Sequence, residues 1–234
     1  MLLSVVIPAY NEERSLGGTL SAVHKFLSSK KYDHEVIVVD DGSKDATADI
    51  AKKSPFAPGK LIVISNEKNM GKGFSVRRGV LAAKGDLVLV TDADLSTPIS
   101  EVDKLIAFMD KGFDVVIGSR DVSDSKVVKH QPLLRETMGK TFNLFVKALL
   151  IGDFNDTQCG FKLFKGASAR ETAKIMKIDG FCYDVEMLYL LRRKGYKIKE
   201  AGVVWENDPH TKVKVFNSSF SMFMDLFRIK MWYG

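Results

Sequence analysis

At 234 residues the chain has room for one large α/β domain with a substantial hydrophobic core, and a single compact unit is expected. Lys and Arg number 35 against 29 Asp and Glu, and the net charge of +6 favours anionic partners: nucleotides, phosphates, nucleic acid or acidic lipid. Two cysteines, Cys159 and Cys182, are too few for a disulfide scaffold and lack metal-ligand spacing, which fits a reducing cytoplasm. No run of ~18 apolar residues occurs, so neither a signal peptide nor a membrane span is expected.

Apolar, β-branched runs recur through the first half, at LSVVIPA (3–9), EVIVVDD (35–41), LIVIS (61–65), DLVLVTD (86–92) and DVVIGS (114–119). Amphipathic stretches over roughly 12–28, 44–53, 73–84 and 100–111 separate them. This alternation predicts an α/β fold, a mostly parallel sheet with helical crossovers. Beyond Arg120 the pattern changes to a polar loop, DVSDSKVVKHQ (121–131), and then a long helix from Pro132 to about Ile151. A short strand at CGFKLFK (159–165), a helix near 182–194 and a strand within KIKEAGVVWEN (197–207) follow. No repeat, low-complexity tract or linker divides the chain, so its second half reads as an extension of the first.

The C-terminal stretch carries two apolar stripes at helical spacing. Phe216, Phe220, Phe223, Met224, Phe227 and Met231 form one; Met222, Leu226, Ile229 and Tyr233 form a second on roughly the opposite side. One domain surface cannot bury both. One stripe is expected in the core and the other against membrane or a second subunit, with Leu226 and Ile229 taken as the lipid-facing pair. Arg228, Lys230 and Trp232 suit such an interface.

In open α/β sheets ligands bind beyond the carboxyl ends of the strands, and three predicted strands end in acids: Glu12 after the first, Asp40 and Asp41 at the second, Asp92 and Asp94 at the fourth. Carboxylates at i and i+2 can turn toward one hard cation that also bridges a diphosphate, since Mg²⁺ and Mn²⁺ favour oxygen ligands and leave sites open for substrate phosphate. Asp is common in turns, so an isolated Asp-x-Asp carries little weight. Three acidic strand ends in one sheet carry more.

VVIPAYNE, VVDDGSKD, NMGKGFSVRRGV, VTDADLSTP, VIGSR and DTQCGFKLF, in that order, resemble the family 2 inverting glycosyltransferases of GT-A fold. The resemblance is to the branch that moves a sugar from a nucleotide sugar to a polyprenyl (dolichyl) phosphate. FCYDVEMLYL and SFSMFMDLFRI bring it nearer the glucosyl than the mannosyl members. It implies transfer of a hexose, glucose from UDP-glucose ahead of mannose from GDP-mannose, with Mg²⁺ or Mn²⁺. It also implies one domain over 1–234, with a nucleotide-sugar-binding half at 1–120, an acceptor-side half at 121–215 and an amphipathic C-terminal helix at 216–234. The implied partners are a nucleotide sugar, the lipid phosphate and a membrane touched peripherally from its cytoplasmic face, with no nucleic acid; oligomeric state is left open.

The same resemblance assigns roles. Pro8, Tyr10 and Glu12 line the nucleoside pocket, and Asp40 or Asp41 accepts a hydrogen bond from the base or ribose. Gly71-Lys72-Gly73 lets the backbone approach the nucleotide, with Lys72 as a point charge. Asp94 is the direct metal ligand, Asp92 bridges donor and metal, and Ser96 stands where the mannosyl branch has a Gln ligand. Arg120 and Arg135 clamp the acceptor phosphate, a task suited to bidentate guanidinium contacts. Gly139 replaces a Ser of the mannosyl branch. Asp156, Gln158 and Asp184 shape the sugar or acceptor side, while Asp184 and Glu186 could equally cap a helix start. Cys159 is expected to be a small packed residue, and His210 and Lys212 either close over the diphosphate or face solvent. A lipid monophosphate is anionic at neutral pH and brings its own nucleophile. No general base is therefore required, and Asp92, Asp94, Arg120 and Arg135 carry the chemistry.

Two other classes share parts of this pattern. A sugar nucleotidyltransferase would open with a Gly-rich, basic loop after the first strand, where this chain has AYNEE. A receiver-like signalling domain would be much shorter and would leave Arg120 and Arg135 without a task.

Overall fold

The computed structural model describes residues 1–207 and 215–234; for residues 134–135 and 215–219 it describes the backbone alone. The five apolar runs form β1 (Leu2–Ala9), β2 (Asp33–Asp40), β3 (Leu61–Ser65), β4 (Leu87–Val90) and β5 (Val115–Ser119). Between them lie α1 (Leu16–Ser28), α2 (Thr47–Lys52), α3 (Lys72–Ala82) and α4 (Val102–Met109), the last entered through a 3₁₀ turn at Ile99–Glu101. The second half adds β6 (Lys126–Lys129), α5 (Leu133–Leu149), β7 (Lys162–Lys165), α6 (Gly166–Ala173), α7 (Tyr183–Arg193), β8 (Ile198–Gly202), β9 (Val204–Glu206) and α8 (Val215–Tyr233).

Seven strands form one sheet in the order β3-β2-β1-β4-β7-β5-β8. Neighbours are parallel except at β7, which runs antiparallel between β4 and β5. The reversal matters for the site. Lys162, the first residue of β7, pairs with both Val90 and Ile117, so a side chain from the second half enters at the carboxyl ends of β4 and β5. Alternation along β1 sends Val6 to one face of the sheet and Val5 and Ile7 to the other. The first face is covered by α3, α6, α7 and α8 and the second by α1 and α4, so the central strands are apolar on both sides.

Three features depart from the sequence expectation. The polar stretch 121–131 contains β6, which pairs in parallel with β9 as a separate two-stranded sheet. Helix α6 was not anticipated: its buried positions are Gly166, Ser168, Ala169, Thr172 and Ala173, so small side chains do the packing and leave no large-residue stripe to read. In α8 the assignment of the two stripes is reversed. Leu226 and Ile229 are fully buried, in the core beside α7, with Met222 and Tyr233 half-buried against it. Phe220 (71% exposed), Met224, Phe227 and Met231 (76% exposed) form the solvent side. The core reaches α8 on the side where the Tyr233 hydroxyl lies 2.9 Å from Glu186 Oε1 and from the Ile175 carbonyl, and that anchor fixes the helix's rotation. Among the described residues, no helix is long and apolar enough to cross a membrane.

Candidate active site

A cleft of about 850 Å³ opens beyond the carboxyl ends of β1, β2, β4 and β5, where the strand order reverses between β1 and β4. Its β1 side is formed by Pro8, Tyr10 and Glu12. Asn11 takes a left-handed conformation (φ 54°) to turn the chain there, and the amide nitrogens of Asn11 and Glu12 donate to Ser43 Oγ and Thr47 Oγ1 at 2.8 and 2.7 Å. The two adjacent aspartates of β2 separate cleanly. Asp41 lines the cleft and accepts from the Met70 and Gly71 amides, both at 2.9 Å, and from Asn66 Nδ2 at 2.6 Å. Asp40 is absent from the lining and accepts from the Ser43 amide at 3.2 Å.

The glycines flanking Lys72 serve a different purpose from the one expected. A Cβ on Gly71, whose φ is 105°, would lie 2.3 Å from the Asp179 carbonyl oxygen, and one on Gly73 would lie 2.5 Å from that of Ile178. The space is filled by the 178–180 segment packing on the start of α3, so these glycines admit backbone. Lys72 then reaches across to Asp92, Nζ to Oδ1 at 2.6 Å. Burial alone would lower the Lys72 ammonium, but the Asp92, Asp184 and Asp94 carboxylates raise it above the usual lysine range. Asp92 feels the reverse: burial pushes its carboxyl up, and Lys72, Lys162 and Arg120 together bring it below the ordinary value.

Asp94 has no cationic partner among the described residues. Burial, and then the Asp92 charge, push it up to about 6, against one hydrogen bond of 2.9 Å from the Ser96 amide. The donor set at this end is two carboxylates and the Ser96 hydroxyl, all hard oxygens, and that chemistry fits a divalent cation of the Mg²⁺ or Mn²⁺ type. No cluster of three or more acidic, His or Cys residues of metal-binding form occurs among the described residues. Two protein carboxylates with the rest of the shell from substrate phosphate is the usual way such cations are held at diphosphate sites.

Arg120, just past β5, is gripped by Asp156: Nε to Oδ2 at 2.7 Å, Nη2 to Oδ1 at 2.8 Å, and its own amide to Oδ2 at 3.1 Å. Its guanidinium carbon stands 5.4 Å from the Trp205 ring centroid. Asp156 thus belongs to the arginine, and Gln158 of the same loop lines the cleft. Arg135 falls in the first turn of α5, with its side chain outside the described residues, as are His210 and Lys212. Gly139 lines the cleft, and an added Cβ there would meet nothing within 4 Å. Cys159 is buried, and burial pushes its thiol up to about 11, as an inert packed residue requires.

Of the two α7 acids, Asp184 lines the cleft and accepts from Lys162 Nζ at 2.6 Å. Glu186 does not cap its own helix but accepts from the Lys177 and Ile178 amides at 2.8 and 2.9 Å. The far wall is apolar: Phe142 and Phe145 of α5, Met222 and Phe223 of α8, and Phe181. Phe145 and Phe223 meet edge to face with centroids 5.0 Å apart. The sequence reading gave no site role to Lys162, Trp205 or this aromatic wall. The lone lysine within GFKLF was the one available signal.

A mostly parallel sheet with a carboxylate pair beyond β4, a lysine laid over it and a cleft at the strand-order reversal defines a glycosyltransferase of GT-A fold. Residues 4–170 match glycosyl transferase family 2, and the chain belongs to that family. It is similar to the dolichyl-phosphate beta-glucosyltransferase of Dictyostelium discoideum, with 36% identity covering 99% of this chain and 74% of that one. The Homo sapiens protein of the same name is 33% identical over 99% of this chain and 75% of its own. Among solved structures, glucosyl-3-phosphoglycerate synthase from Mycobacterium tuberculosis, in complex with Mn²⁺, UDP-glucose and phosphoglyceric acid, superposes with a TM-score of 0.75 at 20% identity, covering 98% of this chain and 80% of that one.

Proposed function

We propose that the chain transfers glucose from UDP-glucose to dolichyl or polyprenyl phosphate with inversion, working peripherally at the cytoplasmic face of a membrane. The observation that carries this reading is the two-sided chemistry of a single cleft. Its floor is charged, with Asp92, Asp94 and Lys72, and its far wall is aromatic and aliphatic, with Arg120 also lining it. A nucleotide sugar suits the floor, and an acceptor with an anionic head and a hydrocarbon tail suits the arginine and the wall. The names of the relatives agree with this pairing.

In this scheme Pro8, Tyr10 and Glu12 hold the nucleoside. Asp41 holds the Met70–Gly71 turn against it, and Asp40 keeps the β2 end in shape. Asp94, Asp92 and Ser96 hold the divalent cation, which when bound offsets the charge of the departing diphosphate. Lys72 leaves Asp92 for the diphosphate. Arg120, oriented by Asp156, and Arg135 at the start of α5 hold the acceptor phosphate. Three guanidinium N–H groups of Arg120 are not used by Asp156 and are free to donate. A phosphate oxygen attacks the anomeric carbon from the face opposite UDP. A carbon–oxygen bond to the lipid phosphate forms as the bond to UDP breaks, and no proton need be removed. Gln158 and Asp184 contact the hexose.

The membrane reading rests on where the apolar surface lies. Among the described residues, eight of the thirteen exposed large hydrophobic side chains are on α5 and α8, including Leu133, Leu144, Phe220, Phe227 and Met231. Lys140, Arg228 and Lys230 are exposed beside them, and the single acid of α8, Asp225, is buried. Apolar side chains rimmed by cations match an anionic bilayer. The test of the reaction is radiolabelled transfer to polyprenyl phosphate from UDP-glucose, GDP-mannose and UDP-galactose. Label should enter the lipid phase from UDP-glucose, and transfer from GDP-mannose alone, or from no donor, would overturn the reading.

A further inference from the structure

Lys162 is a charged residue in the middle of a seven-stranded sheet, with a side chain only 3% exposed. Its ammonium donates to Asp184 Oδ1 at 2.6 Å and to the Cys159 carbonyl. Stability does not account for it. Desolvating an ammonium and a carboxylate costs about as much as their attraction returns, and a well-packed apolar pair in such a place is often equally stable or more so. What the pair does have is position. Lys162 sits opposite Val90, two residues before Asp92, and Asp184 lines the cleft beside Lys72 and Asp92. The segment that Lys162 holds through Cys159 lies against Asp92, for a Cβ on Gly160 would be 2.0 Å from Asp92 Oδ2. One ammonium therefore fixes both the loop behind the donor carboxylate and the Asp184 carboxylate next to it.

We propose that Lys162 is a positioning residue for donor recognition: it holds Asp184 in the cleft wall as the acceptor of hydrogen bonds from the hydroxyls of the donor hexose. The inference rests on the nucleotide-hexose reading above. A carboxylate at this place would repel either phosphate group, the donor's or the acceptor's, but a neutral polyol presents hydroxyl donors that it binds through charge-assisted hydrogen bonds. Lys162 provides the charge balance that lets the carboxylate stay ionised inside the protein, and its second bond, to Cys159, keeps the geometry from drifting.

Calorimetric titration in Mg²⁺ buffer with UDP and with UDP-glucose tests this. In Lys162→Met and in Asp184→Asn, UDP-glucose should bind at least ~10-fold more weakly than to wild type while UDP is held within ~2-fold, and Lys162→Arg should retain both. Lys162→Met alone strands a buried carboxylate and should melt early. The double variant Lys162→Met/Asp184→Leu should recover the melting temperature yet still lose the UDP-glucose preference, an outcome that a purely structural pair does not produce. If the double variant does not fold, Asp184→Asn, nearly isosteric, decides by the same comparison. Full UDP-glucose affinity in the double variant or in Asp184→Asn overturns this inference alone. A wild-type protein that binds neither UDP nor UDP-glucose overturns the donor reading and this inference with it.

Discussion

Three carboxylates of the cleft floor differ in how they are balanced: Asp92 has Lys72, Asp184 has Lys162, and Asp94 has only the Ser96 amide. That difference marks Asp94 as the group waiting for a cation. Asp94→Asn should keep the fold and lose turnover by ~10²-fold or more, because the charge developing on the leaving diphosphate loses a preorganised stabiliser. Wild-type rates in that variant, or full activity in excess chelator, would remove the metal from the mechanism. Asp156 makes a second residue-scale prediction. It is buried and pins Arg120 by two side-chain bonds, so Asp156→Ala should raise KM for polyprenyl phosphate with little change in UDP affinity. It should also cost about 3 kcal/mol, the low end for a broken buried pair, since Arg120 keeps partial access to solvent. Denaturant melts and initial-rate kinetics check the two effects separately. The sequence showed that acids end the strands but could not choose between Asp40 and Asp41. In a strand enclosed on both faces polarity does not mark the inward side, and the choice depends on the pleat.

At the scale of elements, long periodic signals were legible and short or balanced ones were not. The parallel runs β1 to β5 stood out because both faces are buried and the residues are β-branched. The direction of β7 left no trace, for an apolar run reads alike in both senses, and yet the reversal is what brings Lys162 to the site. Helix α8 shows a third limit: with apolar residues on both sides, periodicity establishes a helix but not which stripe is core. The structure makes that choice testable. Leu226→Ser/Ile229→Ser removes two fully buried side chains, each worth ~2–5 kcal/mol in a core. At roughly 2–4 °C per kcal/mol for a chain of this size, the melting temperature should fall by ten degrees or more. A melt within a degree or two of wild type would mean that this stripe is not packed as described.

For the whole molecule, the same two helices that wall the cleft also carry most of its exposed apolar surface. The site and the docking face are therefore continuous: Phe145 both lines the cleft and is partly exposed, and Phe223 packs between Phe145 and Phe227. A lipid acceptor could pass its phosphate to Arg120 while its tail stays against α5 and α8 and the bilayer beyond them. Replacing Phe227 and Met231 by Ser tests this without touching the core, because both side chains are exposed. Each contributes up to ~1.5–3 kcal/mol when buried in an apolar phase, so losing both should weaken flotation with anionic liposomes by ten-fold or more. The melting temperature should hold, and activity on a short, water-soluble polyprenyl phosphate should be spared while activity on a long-chain acceptor in vesicles falls. Because Arg228, Lys230 and Lys140 border the patch, wild-type binding should also weaken when salt is raised or when zwitterionic lipid replaces anionic lipid. Unchanged flotation in Phe227→Ser/Met231→Ser would exclude this face as the membrane contact. If light scattering instead showed a dimer that dissociates in the variant, the stripe would be an interface between two copies of the chain.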